Sequence, residues 1–152
     1  MLSVLYNGVP EGYFYCSRGI RQGDPLSPLL FGIVEDFLSR LLTRLVGSSQ
    51  ILPISSPRGF LAPTHLLYAN DVLIFCRGTQ KNMKHIMGAF RDYSDISGQL
   101  VNGGKSSIYF GSYISLSRIG SLQSLVGMQT GQIPFSYLGV PLFRGKPRKT
   151  VL

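Results

Sequence analysis

Between Pro28 and Gly47 the apolar positions are Leu29, Leu30, Ile33, Val34, Phe37, Leu38, Leu41, Leu42 and Leu45, with Ser39, Arg40, Thr43 and Arg44 between them. Their i, i+1, i+4, i+5 spacing follows the helical turn and predicts an amphipathic helix with one wide buried face. Ser27 suits the N-cap, Pro28 the first helical position, and Gly47 the end. A second helix is expected over roughly Gln80–Ser97, capped by Thr79 and stopped by Gly98. Its apolar line is Met83, Ile86, Met87, Phe90 and Tyr93. Leu116, Ile119, Leu122, Leu125 and Val126 give a shorter third helix that ends at Gly127.

The strand signals are shorter. Leu2–Tyr6 and Tyr13–Cys16 read as an opening hairpin, separated by the turn residues Asn7, Gly8 and Pro10. A chain that opens directly in a strand is expected of an excised or truncated start. Residues 48–63 carry three prolines and read as a loop with a short strand at Gln50–Ile54. From His65 to Phe75, apolar residues flank the small step Ala69-Asn70-Asp71. This is the pattern of a hairpin with an acidic tip. Ser107–Phe110 reads as a strand, and Phe135–Leu142 as a last strand pair bent at Gly139 and Pro141. With no internal repeat, this irregular alternation fits an α+β fold, an antiparallel sheet with helices packed on one face.

At 152 residues and 44% hydrophobic content the chain is one domain, or a piece of a larger one, with enough apolar material for a core. Fifteen Lys and Arg against seven Asp and Glu give a formal net charge of +8. That balance favours nucleic acid or another anionic surface, with simple solubility as the plain alternative. Two distant cysteines, Cys16 and Cys76, make neither a disulfide framework nor a metal spacing. They fit reduced thiols of an intracellular protein, nuclear or cytoplasmic. No apolar run is long enough to span a bilayer, so no membrane partner is expected. The basic run Arg144-Gly145-Lys146-Pro147-Arg148-Lys149 suits a localisation signal, a solvated turn or a nucleic-acid-facing surface.

Four segments hold candidate chemistry. Arg21-Gln22-Gly23-Asp24-Pro25-Leu26-Ser27-Pro28 is a glycine-containing loop running into a helix N-terminus. Backbone N–H groups there favour phosphate, Arg21 suits a phosphate and Gln22 a base or sugar edge. An ordinary helix cap accounts for the same residues. At the hairpin tip, Asp71 is a carboxylate at the end of a sheet, within reach of a metal ion. Lys105, in the Gly-rich turn Ser97–Ser106, suits a general acid or counter-charge toward phosphates, or a plain surface lysine. Phe135–Phe143 is a bent strand pair with Arg144, Lys146, Arg148 and Lys149 just beyond, cations able to follow a phosphate backbone or simply to be solvated. His65 and His85 lie on different elements without ligand partners at usable spacing, and no metal or catalytic role falls to them.

Two of these runs are specific. Arg-Gln-Gly-Asp-Pro-Leu-Ser-Pro over residues 21–28 and Tyr68-Ala69-Asn70-Asp71-Val72 resemble motif B and the Tyr-Ala-Asp-Asp-Val signature of reverse transcriptases, above all those of plant non-LTR (LINE-type) retrotransposons. Residues 97–106 are similar to motif D and Phe135–Phe143 to the primer-grip motif E, so motifs B to E follow in family order. The resemblance implies a partial polymerase palm over residues 1–143 and a basic tail at 144–152 leading toward a thumb. It implies Arg21, Gln22 and Gly23 as nucleotide- and template-binding residues, and Tyr137, Leu138 and Gly139 as primer grip. Lys105 would act toward the leaving pyrophosphate, and Asp71 would serve as metal ligand and catalytic residue. It also implies Mg²⁺ as cofactor and an RNA or DNA template–primer as partner, with no small-molecule cofactor.

One letter departs from the signature. The family's first aspartate, a metal ligand, is Asn70 here. A unit charge lost about 4 Å from a divalent cation is worth about 8 kcal/mol at an effective dielectric of 20. The family's other essential ligand lies on a motif A strand upstream of motif B. The acids available here are Glu11, Asp24, Glu35, Asp36, Asp71, Asp92 and Asp95, and none is expected on a strand beside the hairpin. The expectation is therefore a palm remnant that does not catalyse by itself. The alternatives are a nucleic-acid-binding module, or a polymerase active only with the missing part supplied. In the family the acidic hairpin pairs with the motif A strand; an open apolar edge here predicts self-association.

Overall fold

The structure is a computed structural model and describes residues 2–15, 23–56 and 62–143. Eight short strands and three helices follow in the order β1 (Leu2–Tyr6), β2 (Val9–Phe14), α1 (Ser27–Gly47), β3 (His65–Tyr68), β4 (Asp71–Ile74), α2 (Gln80–Ser97), β5 (Ser107–Ile108), α3 (Leu116–Val126), β6 (Gln129–Thr130), β7 (Phe135–Tyr137) and β8 (Val140–Leu142). The expected α+β class holds. The strands form four separate two-stranded sheets: β1–β2, β3–β4 and β7–β8 are antiparallel ribbons, and β5–β6 is a parallel pair.

The core lies where the three helices meet. Leu38 and Leu42 of α1, Met83, Ile86, Ala89 and Tyr93 of α2, Leu122 of α3 and Ile51 from the loop after α1 are buried together. Burial of each large side chain contributes about 1.5–3 kcal/mol. α2 begins and ends as its sequence predicts. Thr79 Oγ1 accepts from the Asn82 N–H at 3.1 Å, and Gly98 closes the helix at φ +71°, where glycine carries no Cβ penalty. α3 likewise stops at Gly127, with φ +67°.

Four expectations need correction. The N-cap of α1 is Leu26, and Ser27 is already helical. Asp24 supplies the cap chemistry from further out, since its Oδ1 accepts the Leu26 N–H at 2.9 Å. The apolar run of α1 does not form one buried face: Leu38 and Leu42 are buried, whereas Leu29, Leu30 and Ile33 are exposed. The helix packs on the core from Val34 onward, and its first turns do not. No strand forms at 50–54, because the backbone of Leu52 is held by a side chain rather than a ladder. Asn82, fully buried, accepts the Leu52 N–H through Oδ1 at 3.0 Å and donates from Nδ2 to the carbonyls of Leu52 and Arg77, both at 2.9 Å. Finally, β2 starts at Val9 rather than Tyr13, with Asn7-Gly8 as the turn, and β5 stops at Ile108. Cys16, residues 57–61 and residues 144–152 lie outside the described residues.

The described surface carries many large apolar residues. Exposed large apolar residues far outnumber the buried ones and include Val4, Leu5, Tyr6, Val9, Tyr13, Phe14 and Tyr15 of the first hairpin and its exit. A chain of this kind leaves several apolar faces open to further contacts.

Candidate functional site

The β3–β4 hairpin is built from alternation. In β3, His65 and Leu67 turn toward the body of the protein while Leu66 and Tyr68 stay exposed; Leu67 and Ile74 pack against the core. The ladder pairs His65 with Ile74, Leu66 with Leu73, Leu67 with Val72 and Tyr68 with Asp71. This register leaves Ala69-Asn70 as a two-residue turn. Ala69 takes φ +46°, a left-handed conformation that a residue with a Cβ enters at a cost. His65 ties the hairpin to α1: its Nε2 lies 2.9 Å from Ser39 Oγ and its Nδ1 lies 2.9 Å from Thr64 Oγ1. Partial burial lowers the pKa of this imidazole.

The tip presents Asn70 on the turn and Asp71 at the first position of β4, both exposed. All seven acids fall within the described residues, and the other six are placed elsewhere. Glu11 lies on β2, opposite Val4. Asp24 caps Leu26, and Asp36 pairs with Arg40 at 2.6 Å along α1. Glu35 accepts the Tyr93 hydroxyl at 2.8 Å. Asp92 and Asp95 lie on α2, Asp92 exposed near its middle and Asp95 exposed toward its end. Among the described residues no three His, Cys, Asp or Glu stand close enough to share a metal ion. Two-metal phosphoryl transfer needs ions clamped between several carboxylates. One carboxylate and the neutral carbonyl oxygen of Asn70 do not fit that group.

The remaining candidates are dispersed. Arg21 and Gln22 lie outside the described residues; Gly23 is exposed with φ +84° in the turn that leads into α1. Lys105 is exposed, and its N–H donates to both the backbone carbonyl and Oδ1 of Asn102, each at 3.1 Å. Tyr137, Leu138 and Gly139 form the end of β7 and the turn into β8, with Leu138 at φ +52° and Gly139 at φ +78°. The Tyr137 hydroxyl is buried with no hydrogen-bond partner among the described residues. Behind this turn Phe135 stacks on Tyr109, ring centres 3.9 Å apart and planes 18° from parallel.

Two polar nodes escape sequence reasoning. One is Asn82, although Thr79-x-x-Asn82 carries the spacing of a capping pair and hints at it. The other joins Glu35 of α1 to Tyr93 of α2, whose hydroxyl oxygen also lies 3.2 Å from Oε1 of Gln99 at the start of the Lys105 loop. Burial first, then the Glu35 carboxylate, push the Tyr93 pKa up. Glu35 Oε2 is buried with no hydrogen-bond partner among the described residues. No periodicity marks such a pair, because a mid-helix Glu reads as solvated.

The sequence profile of the reverse transcriptase (RNA-dependent DNA polymerase) family matches residues 1–142, and the chain belongs to that family. It is 40% identical over 70 residues to an uncharacterized mitochondrial protein of Arabidopsis thaliana, a match covering 46% of this chain and 57% of that protein. It is also similar to the retrovirus-related Pol polyprotein of the type-2 retrotransposable element R2DM of Drosophila melanogaster. That identity is 32% over 103 residues, 68% of this chain and 9% of the polyprotein. The chain thus spans about half of one relative and a small part of the other. The resemblance to retrotransposon reverse transcriptases of plant type is borne out. Among the described residues no helix is long and apolar enough to cross a membrane.

Proposed function

We propose that these 152 residues form the palm part of a retrotransposon reverse transcriptase and, taken alone, do not catalyse RNA-directed DNA synthesis. The observation that carries this reading is the hairpin tip. Asn70 holds the turn position where the family keeps a metal-binding aspartate, and Asp71 has no second acid beside it. Residues 1–143 act as the palm and 144–152 as its basic exit. On this reading Arg21, Gln22 and Gly23 bind nucleotide and template, Lys105 acts toward the leaving phosphates, and Tyr137–Gly139 serve as primer grip. Mg²⁺ is not held productively by this set. Primer extension on an RNA template with Mg²⁺ or Mn²⁺ tests the reading: no product is expected, and template-dependent extension by the purified chain overturns it.

A second reading is favoured by the net charge of +8 and by Lys105 standing exposed beside a Gly-rich turn. On this reading the chain keeps affinity for RNA or DNA without chemistry. Phosphate contacts release counterions, so binding should weaken steeply between about 50 and 200 mM salt. Absence of binding at low salt removes this reading and leaves the first intact.

A further inference from the structure

We infer that the outer face of α2 is a docking surface for the sugar–phosphate backbone of a nucleic acid, separate from the hairpin tip. Lys81, Lys84 and Arg91 are exposed and stand at i, i+3 and i+10. At 100° per residue they share an arc of about 80°, and its middle lies roughly 180° round the axis from Met83, Ile86, Ala89 and Tyr93, which fill the core. Exposed Arg77 leads into the line just before Thr79, its Nε donating to the Pro53 carbonyl at 3.2 Å. Leu67 and Ile74 of the hairpin pack on the same core, so the stripe points away from the hairpin.

Among the described residues none of these four cations is ion-paired. No acid stands in the first turn of α2, where the helix dipole favours one, and Lys81 occupies the second helical position instead. The helix therefore carries positive charge at its positive end, an arrangement that an anionic partner relieves. Between the cations the line holds Gly88, whose added Cβ would meet nothing within 4 Å, and no large apolar side chain. A protein partner needs apolar or aromatic anchors at the centre of its contact, and this line offers none. A phosphate backbone needs cations and close access. From Lys81 to Arg91 the helix rises about 15 Å, a length that holds about four phosphates of one strand. Asp95, on the same line, closes it about one turn beyond Arg91. A face of charged side chains also stays in water in a longer chain, since burying them unpaired is costly.

The inference rests on the nucleic-acid-binding reading above and names where the contact is made. Fluorescence anisotropy tests it, with the whole chain titrated onto a labelled single-stranded RNA and onto the same strand in an RNA–DNA hybrid, between about 50 and 200 mM salt. Lys81→Gln combined with Lys84→Gln should weaken binding to at least one probe about tenfold and lower its salt slope by about 2. Arg44→Gln combined with Arg118→Gln removes the same charge from exposed positions on α1 and α3 and should weaken binding far less. Lys81→Glu separates a docking face from a merely solvated one. Its carboxylate suits the helix N-terminus, so the urea midpoint should rise while affinity falls. A higher midpoint with affinity unchanged, a Lys81/Lys84 variant with native affinity and slope, or equal losses in the two double variants overturns the stripe and leaves the binding reading standing. A native chain that binds neither probe at low salt overturns both.

Discussion

Tyr68 and Asp71 face each other as the last pair of the β3–β4 ladder, which fixes Asn70 on the turn and Asp71 on the strand. The geometry predicts what Asn70→Asp does. It adds a second carboxylate at the tip but no third one nearby, so the isolated chain should still show no primer extension. If a segment with the family's upstream acidic strand is supplied in trans, the same substitution should raise synthesis about thirtyfold. That figure takes about a quarter of the 8 kcal/mol charge–ion interaction at about 1.4 kcal/mol per decade. Equal rates for the native chain and the Asn70→Asp variant in the complemented reaction would show that this position no longer lies near the ions.

Asn82 holds Leu52 as a strand would, and its orientation follows from its partners: one N–H needs an oxygen, and two carbonyls need an NH₂. Asn82→Ala removes three buried hydrogen bonds and leaves polar backbone without partners. A loss of about 2–4 kcal/mol is expected, read as a lower urea midpoint. Asn82→Asp should cost at least as much at neutral pH, since a carboxylate cannot donate to the carbonyls of Leu52 and Arg77.

How much of this was legible follows from what each signal encodes. Periodicity and caps report on local backbone, and they place α2 closely, the end of α3 at Gly127 and the end of α1 near Gly47. The hairpin is legible because Ala69-Asn70-Asp71 interrupts two apolar runs. Periodicity does not say whether an apolar face finds a neighbour, so the exposure of Leu29, Leu30 and Ile33 could not be read from it. Nor does it mark long-range polar contacts: Asn82 reaches back thirty residues to Leu52, and Tyr93 fifty-eight to Glu35. At the tip, the letter Asn70 was legible from the family signature alone, since spacing by itself does not distinguish it from any turn asparagine.

His65 links hairpin to helix, and its partial burial gives the link a pH dependence. The ring's folded pKa lies below its ordinary value of 6.5, so protonation is easier in the unfolded chain. Stability contributed here is present above about 6.5 and is lost as pH falls through the folded pKa. Urea midpoints measured from pH 7.5 down to 5 should therefore fall for the native sequence. They should fall less for His65→Gln, which keeps hydrogen-bonding capacity toward Ser39 and Thr64 without a titrating ring. Parallel profiles for the two proteins would assign the acid sensitivity to the carboxylates instead.

Cys76 sits at the end of the same hairpin, beside the Asn82 node, and burial pushes its thiol up to about 11, with a hydrogen bond from Asn82 opposing the shift. The thiolate is the reactive form, so alkylation by iodoacetamide at pH 8 should be about a hundredfold slower than for a thiol at the ordinary value of about 9. A Cys16→Ser background leaves Cys76 as the one reporter. The folded pKa is raised, so the stability tied to the neutral thiol is complete below the unfolded value of about 9. It is lost as pH rises through about 11. Between pH 9 and 11 the urea midpoint should decline for the native protein and more gently for Cys76→Ala, with Tyr93 adding to the decline in both. Rapid labelling at pH 8 under native conditions would mean that the hairpin opens away from α2 far more readily than its packing allows.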